Sequence, residues 1–442
     1  MRRQLVSVGV AVALAVGLFV ATQGPTVAQG QQFAGVTITI ATQSSQWADA
    51  FKKLAPEWEQ KTGAKVNFVD IPYGNQYENL MSKYIANTYA YDMVWHDSQW
   101  VPEFAKRGFL TDLTPLLDDK TLTPANYGYP QEFFPVNVYI SGNFKPGNKY
   151  NLPTGIWGIP LIAGWNVLYY RTDLLKAAGY SRPPDTMDEL VAYVKKLNNP
   201  GKGVYGYVMS AGRPRINYDW SQWLWTYGGD YFDGKMKPIF NSPAGVRSLQ
   251  TYIELGKYAP RGAANYHITE VWTTFMEGKA ALTVTWQDLA SVAVKPGSSV
   301  AGKIKAAPFP AVSGKRRPLV GGIVADIPKA AKNPNAAWSF LTYITSPENA
   351  VRTIKLGAYG LRMKPWNDPE VEKIAPSAAG DLEVKSLELA QPTPLIPEWA
   401  QVDQIIAEEI HAAFTGQKSA KAALDAAAAK VERVMRQAGY YK

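Results

Sequence analysis

Apolar and polar residues alternate clearly in the stretch GVTITIATQSSQW, from Gly35 to Trp47, where Val36, Ile38 and Ile40 share one face. Alternation with a period of two residues predicts a β-strand. The small polar residues that follow it predict a loop, so a strand is expected to end near Gln43.

A helical pattern comes next. Apolar residues recur at steps of three and four positions between Trp47 and Trp58, and Gly63 stands where a left-handed helix cap is expected. Because Pro56 lies inside this stretch, we expect a kink or a break there.

The alternation of strand and helix patterns continues along the chain. AKVNFVDIP predicts a second strand, YENLMSKYIA a second helix and AYDMVWHD a third strand. This order favours a parallel sheet with helices on its faces, in which ligands collect at the carboxyl ends of the strands. The loops Thr42–Trp47 and Trp95–Ser98 are therefore expected on one rim of the sheet.

The middle and the end of the chain carry weaker patterns. Tyr127–Gly155 is rich in Pro, Gly, Asn and Tyr, which predicts a long loop before strand and helix patterns resume. Thr186 and Glu189 have the spacing of a capping box. Pro334 and Pro347 stand where Pro is favoured, at the first position of a predicted helix.

The length of 442 residues and the 46% hydrophobic content indicate an ordinary globular chain of two domains. Its start has Arg2 and Arg3, an uncharged apolar run from Leu5 to about Ala21, and small residues near Ala28. A membrane anchor would need a longer run with fewer glycines, so a cleaved export signal is expected. The general and the twin-arginine export pathways both remain open.

The composition excludes several classes of protein. With no cysteine, the chain has no disulfide, no thiolate metal site and no lipid-bearing N-terminal cysteine. The basic residues behind the net charge of +9 are scattered apart from Gly314–Arg317, so no nucleic-acid partner is expected. Three histidines without chelating spacing, and no phosphate or dinucleotide loop, predict neither a metal nor a cofactor.

The densest cluster of rings is YDWSQWLWTYGGDYF, from Tyr218 to Phe232. Such rings commonly fill a core, but aromatic walls with a few placed polar groups are also typical of a ligand site, and sugars suit them. A glycosidase would need two paired carboxylates, and no spacing selects a pair from Asp97, Asp219, Asp288 and Glu398. A binding protein is therefore favoured over an enzyme.

Five segments in a fixed order carry a resemblance to a known family, over nearly all of the chain after its export signal. The chain resembles the carbohydrate-binding family of extracellular solute-binding proteins of ABC importers, to which maltose-binding protein belongs. The segments are YDMVWHDSQWVPEFAKRGFLTDLTPLL, GIPLIAGWNVLYYRTDLLKAAGYSRPPDTMDELVAYVKKL, FMEGKAALTVTW, PLVGGIVADIPKAAKNPNAAWSFLTYITSPENA and PTPLIPEWAQVDQIIAEEIHAAFTGQKSAKAALDAA.

The resemblance implies an α/β fold with two lobes, each a mostly parallel sheet flanked by helices, joined by a hinge that the chain crosses several times. It implies a signal peptide at residues 1–28, lobe 1 at residues 36–163 and 308–345, and lobe 2 at residues 164–307 and 346–442. The crossings are expected near Leu161–Gly164, Ala307–Pro310 and Thr345–Ser346.

The resemblance also implies a ligand held between the lobes. Asp97 is expected to accept hydrogen bonds from sugar hydroxyls, and Trp286 to stack on the ligand. The remaining candidates are the rings of Trp220 and Trp399, the backbone of Gly321 and Gly322, and the neighbours Gln46, Trp47, Trp165, Asn166, Tyr359 and Arg362.

The implied function is capture of a carbohydrate, with a di- or oligosaccharide favoured by the number of rings, and its delivery to permease subunits in the inner membrane. The protein is expected to be a periplasmic monomer without a lipid anchor. A polyamine remains open as the ligand, as does a glycerol phosphate or acidic sugar if Arg213, Arg215 or Arg362 points inward. A carbohydrate-active hydrolase is the second alternative.

Overall fold

The computed structural model describes residues 32–213, 215–293, 297–358, 362–374, 386 and 389–441. Its strands are β1 Thr37–Gln43, β2 Lys65–Ile71, β3 Met93–Asp97, β4 Asn143–Phe144, β5 Gly155–Ile156, β6 Ile159–Arg171, β7 Tyr205–Val208, β8 Ala280–Trp286, β9 Ile304–Ala307 and β10 Val320–Asp326.

The helices of the described residues are α1 Gln46–Lys52, α2 Ala55–Thr62, α3 Tyr73–Ile85, α4 Val101–Lys106, α5 Thr114–Asp118, α6 Pro135–Ile140, α7 Thr172–Ala177, α8 Met187–Leu197, α9 Arg215–Thr226, α10 Pro243–Gly256, α11 Ile268–Met276, α12 Leu289–Ala293, α13 Pro334–Ile344, α14 Pro347–Lys355, α15 Pro369–Ile374, α16 Trp399–Phe414 and α17 Ala420–Gln437. Short 3-10 helices occupy Ser98–Trp100, Pro200–Lys202, Arg261–Asn265 and Lys364–Asn367.

The first three long strands form the parallel unit that their sequence pattern predicts. β1 lies between β2 and β3 and is parallel to both, with Thr37 opposite Lys65 and Ile40 opposite Met93. β10 then pairs antiparallel with β3, so that Ile323 lies opposite Asp97. The prediction of an α/β fold with helices around a central sheet is confirmed.

A single strand belongs to two halves of the sheet. The first part of β6 pairs with β10, up to Trp165 opposite Val320, and its second part pairs with β8 from Asn166 onward. β9 also pairs with this second part, and β7 pairs with β8. We call the half with β1, β2, β3 and β10 lobe 1 and the half with β7, β8 and β9 lobe 2. The finer division into four chain segments stays a prediction.

Local sequence signals act as expected. The helical stretch around Pro56 is broken, because α1 ends at Lys52 and α2 begins at Ala55. The Oγ1 of Thr186 accepts a hydrogen bond from the Glu189 N–H at 3.2 Å, which completes the capping box of α8. The passage expected to be a long loop, 127–155, contains a short helix, α6, that begins at Pro135.

Lobe 2 has a core built by helices as well as by its sheet. Leu224 on α9, Leu249 on α10, Ile406 on α16 and Leu424 on α17 are all fully buried in it. These helices thus pack together from distant parts of the chain.

Candidate ligand-binding cleft

Asp97 is the last residue of β3. The Tyr73 hydroxyl donates a hydrogen bond to its Oδ2 at 3.1 Å, and the Gln99 N–H donates to its Oδ1 at 3.3 Å. Burial raises the pKa of the Asp97 carboxyl above its ordinary value, although the Gln99 N–H and the nearby Arg215 both oppose this shift. Asp97 therefore caps the turn that follows it and also puts a buried carboxyl beside lobe 2.

Trp286 ends β8, opposite Asn166 on β6. A Cβ atom on Gly164 would lie 2.8 Å from the Cε3 atom of this indole, and one on Gly321 would lie 3.2 Å from its Cη2 atom. The two glycines thus let the half-buried ring lie against the backbone where the two halves of the sheet meet.

Arg215 covers the other side of this ring. The centre of its guanidinium lies 5.3 Å from the Trp286 ring and 4.8 Å from the Tyr218 ring, a cation–π arrangement. Its Nε donates to Oδ1 of Asp219 at 3.2 Å, one helical turn along α9. Burial opposes the charge of Arg215, but Asp219, Tyr73 and Tyr218 together outweigh it, and the pKa of the guanidinium lies above its ordinary value.

A chain of hydrogen bonds crosses from lobe 2 to lobe 1. Trp399, the first residue of α16, donates its Nε1–H to Gln99 Oε1 at 3.2 Å, and Gln99 Nε2 donates to the Tyr73 hydroxyl at 3.3 Å. Because that hydroxyl donates to Asp97, Trp399 is connected to Asp97 through two lobe 1 side chains. The two lobes are therefore in direct contact on this side of the cleft.

Two neighbouring residues of β6 add polar atoms at the crossing between the lobes. Trp165 Nε1 and Asn166 Oδ1 are buried, and neither meets a hydrogen-bond partner in the described part of the chain. Thr42 Oγ1, near the end of β1, and Gln46 Nε2, at the start of α1, also lack a partner there. Buried polar atoms are normally paired. Neighbouring residues of a strand point to opposite faces of the sheet, so of these two β6 residues only Asn166 shares the face of Trp286.

Asp403 was not among the predicted site residues. It lies in the second turn of α16, and the side-chain amide of Asn217 on α9 donates to its Oδ1 at 2.6 Å. Burial raises the pKa of Asp403 to about 7, although Asn217 and Arg215 both favour the charged form. Spacing in sequence could not find this pair, because 186 positions separate its members.

The family model for bacterial extracellular solute-binding proteins matches residues 44–351, most of the chain. The chain belongs to this family. Because its members are binding proteins found outside the cytoplasm, the expectation of a binding protein agrees with the family.

Known proteins resemble this solute-binding protein over most of its length. A Sinorhizobium fredii protein, described as a probable amino-acid ABC transporter periplasmic-binding protein, is 26% identical over 93% of this chain and 92% of its own. The ribitol complex of an ABC transporter solute-binding protein from Agrobacterium radiobacter K84 has a TM-score of 0.83 and 29% identity, and covers 91% of this chain and 100% of that one. A maltose-bound T. maritima protein has a TM-score of 0.81 and 26% identity, covering 90% and 100%.

The structure of this solute-binding protein puts Trp220 in the core of lobe 2 and not in the cleft. The ring is fully buried, its Nε1–H donates to Ser248 Oγ at 3.1 Å, and it meets Tyr231 edge to face at 6.3 Å. Trp223 and Trp225 are also buried in that core. The ring-rich stretch is therefore largely structural, because α9 turns these indoles toward its helical neighbours.

Arg362 likewise has a structural environment. It is 3% exposed, its Nε donates to the Thr345 carbonyl oxygen at 2.8 Å, and its other nitrogens bind Glu132 and the Tyr127 carbonyl oxygen. Its guanidinium stacks on Phe133 at 4.5 Å. All three nitrogens of the guanidinium are hydrogen-bonded within lobe 1. Arg362 therefore stabilises loops of that lobe and has no nitrogen left for a ligand.

The other predicted positions divide between the cleft and its supports. Gly322 is needed for packing, since a Cβ there would lie 2.4 Å from the Ile162 carbonyl oxygen. Trp47 is half-buried and packs on Trp95, with 6.3 Å between ring centroids. Trp399 is 1% exposed and reaches the cleft through its N–H and not through a ring face. Tyr359 lies outside the described residues.

Two kinds of feature are absent from the described residues of this solute-binding protein. Within them, no helix is both long and apolar enough to cross a membrane. Nor do His, Asp and Glu side chains gather there in a group that could hold a metal ion.

Proposed function

We propose that this solute-binding protein captures an uncharged sugar or polyol between its lobes and delivers it to the permease subunits of an ABC importer. One observation carries the proposal: polar groups of both lobes converge on the space beside Trp286. Lobe 1 supplies Asp97, lobe 2 supplies Arg215, and Asn166, opposite Trp286, comes from the strand between them.

The mixture of polar atoms favours hydroxyl groups as their partners. Asn166 Oδ1 can only accept, and Thr42 Oγ1 can donate or accept. A hydroxyl also donates and accepts, so a polyhydroxylated ligand satisfies all of them with one kind of group. The aromatic face of Trp286 adds the apolar wall that the C–H groups of such a ligand need.

The cations of this region disfavour an anionic ligand. Arg215 is paired with Asp219, and Arg362 is engaged with Glu132 inside lobe 1. Each cation already faces a carboxylate of the protein, so a phosphate or a uronate would compete with that carboxylate. A glycerol phosphate or acidic sugar is therefore the weaker alternative.

A short ligand is favoured over the oligosaccharide expected from the sequence. Trp220 is withdrawn into the core, so fewer rings can each support one sugar unit. The ribitol-bound and maltose-bound neighbours bracket this size range. Function in the periplasm as a monomer, after removal of residues 1–28 and without a lipid, remains part of the proposal.

The test is thermal unfolding of the purified protein, without residues 1–28, in the presence of candidate ligands. Ribitol, D-mannitol and maltose are the neutral probes; D-glucuronate, putrescine and L-amino acids represent the charged ones. A ligand bound only by the folded state at a hundred times its Kd stabilises it by about 2.7 kcal/mol. We expect the unfolding midpoint to rise with at least one neutral probe.

Asp97→Asn is the variant that ties such a shift to the cleft. Since a hydrogen bond to a charged group contributes about 1.5–3 kcal/mol, this variant should lose most of the shift while it keeps its own midpoint within a few degrees. A shift that appears only with an amino acid or with putrescine would overturn the ligand class. An equal shift in Asp97→Asn would place the ligand elsewhere.

A further inference from the structure

The strand β8 ends in an irregular pair with β6. Gln287, the residue after Trp286, donates its backbone N–H to the Trp165 carbonyl oxygen at 3.1 Å. In a regular antiparallel pair, the Trp165 N–H would donate to the backbone carbonyl of Gln287 in return. It donates instead to Oε1 of the Gln287 side chain, also at 3.1 Å. A side chain therefore replaces the backbone at the last step of this ladder.

The displaced backbone carbonyl of Gln287 has another partner. The Tyr169 hydroxyl donates to it and accepts a hydrogen bond from the Ala290 N–H at 3.2 Å. Gln287 is 2% exposed and Tyr169 is fully buried. The turn after β8 is therefore held twice, by the Gln287 side chain at Trp165 and by the Tyr169 hydroxyl.

These bonds lie where the strand β6 passes between the lobes. Trp165 is the last β6 residue that pairs with β10 of lobe 1, and it lies opposite Val320. Gln287 directly follows β8 of lobe 2. Its two bonds to Trp165 therefore connect the end of β8 to the lobe 1 part of β6.

The same bonds fix the backbone next to the indole of Trp286. The ring lies against Gly164, where a Cβ atom would be 2.8 Å from the Cε3 atom of the indole. Gly164 is followed by Trp165 and Trp286 by Gln287, so the bonded pair comes directly after the two residues in contact. Movement of the end of β8 away from β6 would carry the ring away from Gly164.

We propose, on the basis of the proposed function, that Gln287 is a positioning residue for ligand binding. Its side chain holds the end of β8 against Trp165 before the ligand arrives. The Trp286 ring then already lies where the C–H groups of a sugar or polyol pack on it, and binding requires no ordering of the ring. Ordering one flexible side chain on binding weakens affinity by about two- to tenfold.

Gln287→Met is the variant that tests this role. Methionine has nearly the shape of glutamine, but it lacks the carbonyl oxygen to which the Trp165 N–H donates. In isothermal titration with ribitol, D-mannitol and maltose, the probe that binds the unaltered protein should bind this variant about two- to tenfold more weakly. Tyr169→Phe removes the hydroxyl that holds the Gln287 carbonyl and should weaken binding in the same direction.

Asn198→Leu is the matched control. Asn198 Oδ1 also accepts a backbone N–H in lobe 2, that of Gly206 at 3.0 Å. Gly206 lies on β7 beside Tyr205, which is opposite Ala280 at the other end of β8 from Trp286. This variant should lower the unfolding midpoint and keep the affinity of the unaltered protein.

A double-mutant cycle with Trp286→Ala separates positioning of the ring from a general loss of stability. Residues that act through one another give non-additive effects, and independent ones give additive effects. If Gln287 acts through the ring, Gln287→Met should change the affinity of the Trp286→Ala protein by less than about twofold.

Each result has one meaning. Unchanged affinity in Gln287→Met overturns the positioning role and leaves the proposed function standing. An equal loss with and without the Trp286 ring does the same, as does an equal loss in Asn198→Leu. Should Gln287→Met fail to fold, Tyr169→Phe, alone and combined with Trp286→Ala, decides by the same criteria. If the unaltered protein binds no neutral probe, the proposed function fails, and the role that rests on it fails with it.

Discussion

The two faces of helix α9 show how one aromatic-rich segment serves two purposes. Arg215 and Asp219, with Tyr218 beside them, face the cleft, and Arg215 stacks on the indole of Trp286. The opposite face carries Trp220 into the core, where Ser248 accepts its N–H. Both faces use large rings, so ring density does not identify a ligand site.

What separates the two faces is the kind of neighbour each ring has. In the core, Trp223 meets Tyr252 and Phe309 edge to face at 5.0 and 5.1 Å. On the cleft side of α9, the ring of Trp286, which belongs to β8, packs against the charged side chain of Arg215 and against the backbone of Gly164, which has no side chain. A buried indole N–H without an acceptor is not decisive, because in the described residues it occurs in Trp223 as well as in Trp165.

The largest effect should come from the core face. Trp220→Ala leaves a cavity in lobe 2 and is expected to lower the free energy of unfolding by about 3–5 kcal/mol. Urea unfolding followed by circular dichroism measures it. Trp220→Phe, which keeps most of the ring, should lose much less; a small effect of the alanine variant would remove Trp220 from the core.

The cleft face should respond in binding and not in stability. Trp286→Ala removes the apolar wall of the site and is expected to weaken binding of the neutral ligand by about 1.5–3 kcal/mol, or roughly ten- to a hundredfold. Titration of the ligand checks this, and urea unfolding of the same variant should show a far smaller loss than Trp220→Ala. A larger loss of stability in Trp286→Ala than in Trp220→Ala would contradict the assignment of Trp286 to the cleft and of Trp220 to the core.

The smallest effect should come from the contact between the lobes. Trp399→Phe keeps a buried ring but loses the donor to Gln99, so we expect binding to weaken by about 0.5–1.5 kcal/mol. Trp338→Phe is the matched control, because its N–H donates at 2.9 Å to Thr123 within lobe 1. Equal losses of affinity in both variants would show that the bond of Trp399 has no special part in closure.

Local sequence signals predicted much of the fold. The break at Pro56, the capping box of Thr186 and the helix start at Pro347 each depend on residues a few positions apart. The place of Asp97 followed from topology, since the ends of neighbouring parallel strands share one rim. These expectations needed no knowledge of distant contacts.

The rest of the site depends on residues that are far apart in sequence. Asn217 and Asp403 come together only when α9 and α16 pack, and Tyr73 joins Asp97 only when α3 folds onto the sheet. Trp220 was misjudged for the same reason: its partner Ser248 is on another helix, which a ring count does not consider.

The strand β6, Ile159–Arg171, has a consequence for how the molecule loses its structure. Its hydrogen bonds are divided between lobe 1, up to Trp165, and lobe 2, from Asn166 onward. Because one continuous strand completes both ladders, loss of the ladder in either lobe frees one end of the strand that the other lobe still holds. Unfolding of the two lobes is therefore expected to be coupled through this one strand.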